Sequence, residues 1–307
     1  MDILVTIIPI FAVIFLGWVA RRKGFIPPEF LTPANRLVYY LAIPAMIFSS
    51  ISKASFKAQF DIMVLGLTLF CVLVVFAVAW GVGLLKRVEH KQMGTFMQCS
   101  FHGNLGYIGL AVAYYYLGSQ GFVKAGIIAG FMMILQNFLA VVALQFYAQD
   151  SALKKSKLNV LLKILGNPVI VSALAGILFS LFGLRIPLVI DRSLAILSDL
   201  ALPMALLIIG ASLSFELMQL PIFRVLATGV MKLILLPGLG FILFRTFGPA
   251  LQDFLPGLIL LASPTATITY VMAKEMNGDT DFAVAAISIN TILSAVSYTL
   301  WLAMVVN

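Results

Sequence analysis

The two stretches that decide the fold are Gly-Asn-Leu-Gly-Tyr-Ile-Gly at residues 103–109 and Ala-Ser-Pro-Thr-Ala-Thr-Ile-Thr at residues 262–269. Each interrupts an apolar segment long enough to cross a membrane. In the first stretch, each glycine weakens a helix by about 1 kcal/mol. In the second, Pro264 removes a backbone donor, and the hydroxyl side chains around it can bind the backbone groups that the proline frees. Two membrane helices are therefore predicted to break near the middle of the bilayer.

The composition around these stretches is that of a membrane protein. Of the 307 residues, 62% are hydrophobic and 10% are charged, whereas a soluble domain has about 45–50% apolar and about 25% charged residues. A helix needs about 20 apolar residues to cross about 30 Å of hydrocarbon. Ten segments approach that length, at residues 2–20, 33–51, 60–85, 94–117, 122–147, 160–182, 187–211, 221–246, 254–275 and 281–306. The predicted fold class is an all-α polytopic membrane protein with ten transmembrane helices.

The basic residues predict the orientation. They cluster after the first, third and fifth segments, as Arg21, Arg22, Lys23, Lys86, Arg87, Lys91, Lys154, Lys155 and Lys157. Loops rich in Lys and Arg stay in the cytoplasm. We therefore expect a multi-pass protein of the cell (inner or plasma) membrane, surrounded by the lipid bilayer, with both termini on the non-cytoplasmic side.

The two halves of the chain resemble each other. An offset of 159 residues places Leu41-Ala42-Ile43-Pro44 on Leu200-Ala201-Leu202-Pro203, and an offset of 160 places Gly118 and Phe122 on Gly278 and Phe282. The alternative is a chance match among apolar residues, which the paired prolines disfavour. Five helices in each half would give the halves opposite topology, as in transporters built from inverted repeats. We predict repeats at 1–148 and 160–307, joined by a cytoplasmic linker at 149–159.

The two breaks lie at nearly equivalent positions of these repeats, in the fourth and ninth segments. If both helices unwind there and cross, two half-helix N-termini meet and offer partial positive charge to an anion. A carboxylate is the natural ligand for such a site. Alternatively, the glycine, serine and threonine residues only allow close helix packing. A symmetric pair of breaks favours the binding site.

Three ionisable residues lie well inside apolar segments, away from the segment ends, where a lone charge costs at least about 2.5–3.5 kcal/mol. Lys232 lies about ten residues into the eighth segment and is predicted to be a counter-charge or a proton-linked switch, unless an internal partner such as a backbone carbonyl binds it. His102 could titrate near neutral pH, although a hydrogen-bonded packing role is favoured. Asp199, at the repeat position of Tyr40, is either functional or a helix-terminus residue.

Other function classes find little support. The net charge of +8 is spread over short clusters between apolar runs, which does not indicate a nucleic-acid surface. Cys71 and Cys99 lack CxxC spacing, so neither a metal site nor a cofactor is predicted. No HExxH, GxSxG or Walker motif is present, so we expect neither an enzyme nor, without a separate ATPase subunit, a nucleotide-driven pump. A channel would not need paired breaks. The sequence does not distinguish a transporter from a membrane receptor that binds without transport.

Four motifs in order resemble those of the auxin efflux carrier family, which includes bacterial permeases and the plant PIN auxin carriers. They are Asn35-Arg36-Leu37-Val38 followed by Leu41-Ala42-Ile43-Pro44, then Asn104 to Gly118, Lys232 five residues before Pro237, and Pro264 followed by Ala273-Lys274-Glu275. The resemblance covers essentially the whole membrane portion.

The resemblance implies a scaffold of helices one, two, six and seven and a transport domain of helices three to five and eight to ten, which moves against the scaffold like an elevator. It also implies crossover helices four and nine, as in bile-acid symporters, a homodimer through the scaffold, and organic-anion cargo such as auxin, malate or malonate. The resemblance implies that Asn104 contacts the carboxylate and that Ser49, Ser50, Gln136 and Asn137 lie at the substrate site. The breaks themselves add Gly106, Ser263, Pro264 and Thr265 to the predicted substrate-binding residues. Lys232 and His102 are predicted to act in coupling, with protons as an expected partner.

The sequence also departs from the family pattern. Ala111 stands where the family usually has a crossover proline, and Thr269 stands where plant carriers have a second proline. The crossover is therefore expected to depend on Gly106, Gly109 and Pro264. The third segment has no mid-membrane carboxylate to pair with Lys232. A sodium-coupled symporter of the bile-acid type is the alternative carrier, and the lack of an acidic cluster at the crossover disfavours it.

Overall fold

A computed structural model describes residues 3–54, 59–148, 166–214 and 222–306. Within these ranges the chain forms eleven helices and no strand longer than an isolated bridge. The helices are α1 (Ile3–Arg22), α2 (Pro28–Ser52), α3 (Ile62–Leu85), α4 (His90–Phe101), α5 (Leu105–Phe146), α6 (Pro168–Leu181), α7 (Leu188–Ser212), α8 (Ile222–Phe247), α9 (Leu251–Leu261), α10 (Ile268–Glu275) and α11 (Thr280–Val306).

Seven of these helices are long and apolar enough to cross a membrane, namely α1, α2, α3, α5, α7, α8 and α11. Two shorter apolar helices, α6 and α9, accompany them. A helix satisfies its own backbone hydrogen bonds, which lipid cannot do. The prediction of an all-helical polytopic membrane protein is therefore confirmed.

Most predicted segments correspond to single helices. The second begins earlier than expected, at Pro28, and winds as a π-helix over Val38–Ala42 ahead of Pro44, whose ring cannot donate to the preceding turn. The sixth is described from Asn167, whose side chain caps the N-terminus of α6. The predicted linker at 149–159 lies outside the described residues.

Helix α5 differs from the prediction of two separate helices. It contains the second half of the fourth segment and all but the last residue of the fifth, over 42 residues. Gly118 interrupts it with φ 68° and ψ −167°, a backbone conformation that glycine adopts without steric cost. The expected loop is therefore a single kink at Gly118.

The helices are described as two groups, which also contact each other. Helices α1, α2, α6 and α7 are linked by contacts of α1 with α7, of α2 with α6 and of α2 with α7, and α3, α4, α5 and α8 to α11 form the other group. Helix α5 contacts α1, α2 and α6, and α11 contacts α1. In the first group, α1 and α7 touch through their backbones, because a Cβ atom at Gly17 would lie 2.2 Å from Leu207 O and one at Gly210 would lie 1.7 Å from Ile14 O. Small residues allow such close approach between membrane helices. The second group contains both breaks.

Candidate substrate site at the crossing of two broken helices

Both predicted breaks are present. The first break comprises residues 102–104, between α4 and α5, and the second comprises residues 262–267, between α9 and α10. Each break ends one helix and begins another. The crossing therefore brings together the C-terminal ends of α4 and α9 and the N-terminal ends of α5 and α10.

The two breaks satisfy each other's backbone. Gly103 and Thr265 form an antiparallel bridge. On either side of it, Asn104 N donates to Pro264 O at 2.7 Å, and Ala266 N donates to His102 O at 2.9 Å. Backbone groups released by unwinding must find partners inside the protein, because lipid offers none. The two predicted breaks therefore lie against each other and are joined by these backbone hydrogen bonds.

The first break does not lie at Gly106 or Gly109, where the sequence predicted the crossover. Both glycines lie in the π-helical turn that begins α5, whereas the break lies at Gly103. A Cβ atom there would lie 2.4 Å from Ser263 Oγ, so only glycine fits between the chains. Ala111 lies in a regular helix, since close approach of the two backbones, not a proline, sets the crossing point.

Asn104 is the residue of the first break best suited to bind a ligand. Its backbone carbonyl accepts hydrogen bonds from Ile108 N at 3.2 Å and Gly109 N at 2.9 Å. Its side chain is 5% exposed, and its amide Nδ2 has no hydrogen-bond partner among the residues that the structure describes. Buried donors are normally paired. The amide is therefore a free donor at the N-terminus of α5.

Gln136 and Asn137 lie on α5 but have different surroundings. Gln136 is fully buried and binds the first break and the end of α4, since Oε1 accepts from Gly103 N at 3.2 Å and Nε2 donates to Phe101 O at 3.2 Å. Asn137 is half-buried, with no hydrogen bond to either break in the described ranges. The geometry makes Gln136 a support of the break.

The second break has its own support, which the sequence analysis missed. Thr265 Oγ1 donates to Cys99 O at 2.8 Å and accepts from Asn290 Nδ2 at 2.8 Å. Ser263 Oγ donates to Leu260 O at 2.7 Å within α9. Asn290 is fully buried on α11. A polar amide within an apolar segment was the available signal.

Lys232 on α8 has an internal partner. The side chain is 0% exposed, and Nζ donates to Leu261 O at 2.7 Å. Leu261 is the last residue of α9, where the helix dipole concentrates partial negative charge. This contact is the backbone-carbonyl partner considered in the sequence analysis. In the described part of the chain, the carboxylates that form ion pairs bind other residues.

His102 is buried within the first break. Its Nδ1 lies 3.3 Å from Gln98 Nε2, and its carbonyl holds Ala266 in the second break. These contacts are those of a hydrogen-bonded packing histidine. A role in proton coupling stays a prediction.

Ser49 and Ser50 lie on α2, in the other group of helices. Ser49 is buried and Ser50 is half-buried, and neither makes a hydrogen bond to a break in the ranges that the structure covers. The hydrogen bond that ties α2 to the start of α5 is instead from Tyr107 Oη to Asn35 Oδ1, at 2.5 Å. The structure therefore groups Asn104, Gln136, Lys232, His102, Ser263, Pro264 and Thr265, with Gly106 one turn away.

Comparison with known proteins identifies the family of this chain. The family described as "Membrane transport protein" matches residues 2–302. A Rhizobium meliloti protein named "Putative malonate transporter" is 30% identical, over 95% of this chain and 92% of that protein. An uncharacterized transporter of Methanocaldococcus jannaschii is 24% identical over 94% of each chain, and the Escherichia coli transporter YfdV is 22% identical over 96% and 95%. The chain belongs to the membrane transport protein family, which is the auxin efflux carrier family that its motifs resemble.

Proposed function

We propose that this protein is a secondary transporter that moves small organic anions across the cell membrane by alternating access. Its cargo is a small carboxylate, and malonate is the first candidate because a relative with 30% identity carries that name. The observation that supports this most directly is the unpaired Asn104 amide at the crossing of the two breaks.

An anion would complete this crossing. An unpaired buried donor costs about 1–3 kcal/mol, and a carboxylate oxygen removes that penalty by accepting the hydrogen bond. The N-termini of α5 and α10 add partial positive charge. A carboxylate therefore gains from the amide and from both helix ends, whereas a cation would be repelled by the same groups.

Ten spans in two inverted repeats are the proposed architecture. At about 1.5 Å per residue, the 42 residues of α5 are about 63 Å long, which is twice the hydrocarbon thickness of about 30 Å. The kink at Gly118 then separates two spans. Helix α4 with the start of α5 is the fourth span, and α9 with α10 is the ninth. An even number of spans would put both termini on the same side, and the basic clusters after the first, third and fifth segments favour the non-cytoplasmic side.

In alternating access, one group of helices would stay fixed in the membrane and the other would move with the substrate. Helices α1, α2, α6 and α7 are the proposed scaffold, and the group that contains both breaks is the proposed transport domain. Because Lys232 links α8 to the C-terminal end of α9, we assign it to coupling, together with His102. Protons are the proposed coupling ion, and a sodium-coupled symporter is the alternative.

Uptake by proteoliposomes containing the purified protein tests the proposal. Radiolabelled malonate should accumulate, unlabelled small dicarboxylates should compete, and neutral or cationic solutes of similar size should not. Thermal-shift measurements with the same panel should show stabilisation by carboxylates only. Replacing sodium by choline and varying the proton gradient identifies the coupling ion. Stabilisation and uptake limited to cations or neutral solutes would overturn the anion assignment.

A further inference from the structure

A hydrogen bond beside the candidate site joins the two groups of helices. Tyr107 lies three residues after Asn104, in the π-helical turn that begins α5, and is 6% exposed. Its Oη donates to Asn35 Oδ1 at 2.5 Å. Asn35 lies on α2 of the first group, whereas Tyr107 lies on α5 of the second. The same turn of α5 also contacts α7 of the first group. The N-terminus of α5 is therefore held directly against the first group.

The other hydrogen bonds described at the breaks stay within the second group. They join one break to the other, Gln136 to the first break, Asn290 to the second, and Lys232 to the end of α9. A displacement of the second group as one body would leave all of these in place. The same displacement would break the contact of Tyr107 with Asn35, because such a hydrogen bond holds only over oxygen–oxygen distances of about 2.5–3.0 Å. This contact therefore depends on the relative position of the two groups.

A second buried tyrosine shows the ordinary alternative, a hydroxyl that is bound inside one group. Tyr298 on α11 is fully buried, and its Oη donates to Ile259 O on α9 at 3.1 Å. Both helices belong to the second group, so this hydrogen bond does not depend on where the first group lies. Asn35, in contrast, is exposed on α2, and its side chain stays accessible to other partners after separation from Tyr107. The contact with Asn35 is therefore one that forms and breaks, whereas that of Tyr298 fixes packing.

We propose that Tyr107 is a positioning residue of the transport cycle, whose hydrogen bond to Asn35 holds the N-terminus of α5 against α2 in one state and is absent in the other. This inference rests on the proposed function, in which the second group moves against the first. Asn104 immediately precedes the turn that carries Tyr107. While the hydrogen bond lasts, it therefore also fixes where the unpaired Asn104 amide lies relative to α2.

The size of the effect is that of one ordinary hydrogen bond, which changes an equilibrium constant by about 2-fold to 10-fold. Tyr107→Phe removes the hydroxyl and keeps the ring, so it should lower the population of the bonded state relative to the other state by that factor. Asn35→Ala should have the same effect, and the double variant should show no more than the larger single effect. Asn35→Asp should shift the populations in the opposite direction, since a carboxylate accepts a stronger hydrogen bond than an amide does.

Pulsed electron paramagnetic resonance in lipid nanodiscs measures these populations without substrate. Spin labels at Phe25→Cys, after α1, and at Leu85→Cys, at the end of α3, report the distance between the two groups, and both positions are exposed. The native Cys71 and Cys99 are buried and stay unlabelled. The wild-type chain should show two distances, and Tyr107→Phe should shift their ratio away from the distance of the bonded state.

Tyr298→Phe is the matched control, since it makes the same chemical change within one group. It should lower the unfolding temperature, because Ile259 O loses this donor, but it should leave the ratio of the two distances unchanged. A single distance in the wild-type chain, a ratio unaffected by Tyr107→Phe and Asn35→Ala, or an equal shift in Tyr298→Phe would overturn the positioning role of Tyr107.

Malonate uptake by proteoliposomes separates this inference from the proposed function. Uptake by the wild-type protein, together with a ratio of distances that Tyr107→Phe leaves unchanged, would contradict the role of Tyr107 alone. A shifted ratio in a protein that takes up no carboxylate would contradict the proposed cargo and still support the hydrogen bond as the contact that favours one state.

Discussion

Two amides beside the first break have different surroundings. Gln136 uses both of its polar atoms to bind backbone groups, one in the break and one at the end of α4, whereas the side-chain amide nitrogen of Asn104 has no partner in the described part of the chain. An amide whose polar atoms are all hydrogen-bonded positions the backbone, whereas an amide with an unpaired donor is available to a ligand. Residue type did not separate the two roles, because both amides were predicted to bind substrate.

Removing the Asn104 amide should weaken substrate binding. We expect Asn104→Ala to raise the KM for malonate by about 10-fold to 100-fold, since a hydrogen bond to a charged group contributes about 1.5–3 kcal/mol. Asn104→Asp should abolish uptake, because its carboxylate repels the anion. Uptake by proteoliposomes measures both effects.

The control for these variants is Ser193→Ala, an exposed hydroxyl on α7. It should leave the KM unchanged. Wild-type uptake by Asn104→Asp would exclude Asn104 from the binding site.

Lys232 should be required for transport but not for assembly. Lys232→Ala and Lys232→Met both remove the ammonium that binds Leu261 O at the end of α9. We expect uptake to fall to background while the protein still inserts and purifies as a folded species, as judged by circular dichroism and gel filtration. The methionine variant keeps most of the side-chain volume and isolates the effect of the charge.

The matched control is Lys86→Met, an exposed lysine at the end of α3. It should transport normally. If Lys232→Met transported at the wild-type rate, Lys232 would have no part in the mechanism.

At the scale of the helices, the crossing depends on the absence of a side chain at Gly103. Gly103→Ala places a Cβ atom 2.4 Å from Ser263 Oγ and 3.2 Å from Lys232 Cε. We expect thermal unfolding at a clearly lower temperature, consistent with about 1–3 kcal/mol for overpacking. Adding Ser263→Ala should recover part of the loss, because it removes the nearer contact.

Gly66→Ala provides the comparison, since this glycine of α3 has open space where the Cβ atom would go. That substitution should leave the protein as stable as before or slightly more stable, by up to about 1 kcal/mol. Equal stability of the Gly103→Ala and Gly66→Ala variants would contradict a close crossing.

Sequence predicted which helices break but not where the backbones meet. Glycine, asparagine and proline have known effects on a helix, so the two interrupted segments were identifiable from composition. The pairing of Gly103 with Thr265 depends on the approach of residues far apart in the chain, which local propensity does not contain. A loop was predicted between the fourth and fifth segments where the structure has a kink at Gly118. One glycine with a positive φ can replace a loop there.

At the scale of the whole molecule, the proposed number of spans can be tested from outside the cell. Cysteines introduced at Lys23, Lys86 and Arg185 lie in exposed connections. In the ten-span arrangement, Lys23→Cys and Lys86→Cys are cytoplasmic and Arg185→Cys is external. A membrane-impermeant maleimide should therefore label only Arg185→Cys in intact cells and all three after permeabilisation.

This test separates the alternatives because three spans lie between Lys86 and Arg185 only if α5 crosses the membrane twice. Labelling of Lys86→Cys and Arg185→Cys from the same side would mean that α5 crosses once. The buried Cys71 and Cys99 provide the unlabelled background.

Of the residues predicted to form the site, those on the second group of helices lie together at the breaks, whereas those on the first group do not contact the breaks by hydrogen bonds. Residues of the breaks and of α5 and α8 meet as expected, because they lie on helices that cross at the breaks. Ser49 and Ser50 make no hydrogen bond to the breaks, since their distance from the site depends on how α2 packs against α5, which residue spacing does not determine. Asn290 was not predicted, because it lies on α11 and its partner Thr265 lies in the second break, so only the packing of α11 against that break brings the two together.

The bridge between the breaks also constrains the order in which the protein can be made. The backbone N–H of Asn104, just before α5, is synthesised early, but its acceptor, Pro264 O, is translated far later. Until the second broken segment has been translated and inserted into the membrane, the backbone N–H of Asn104 lies in the bilayer without its final acceptor. The first broken helix therefore cannot reach its final form during its own insertion, and the candidate site at the two breaks is completed only near the end of biosynthesis.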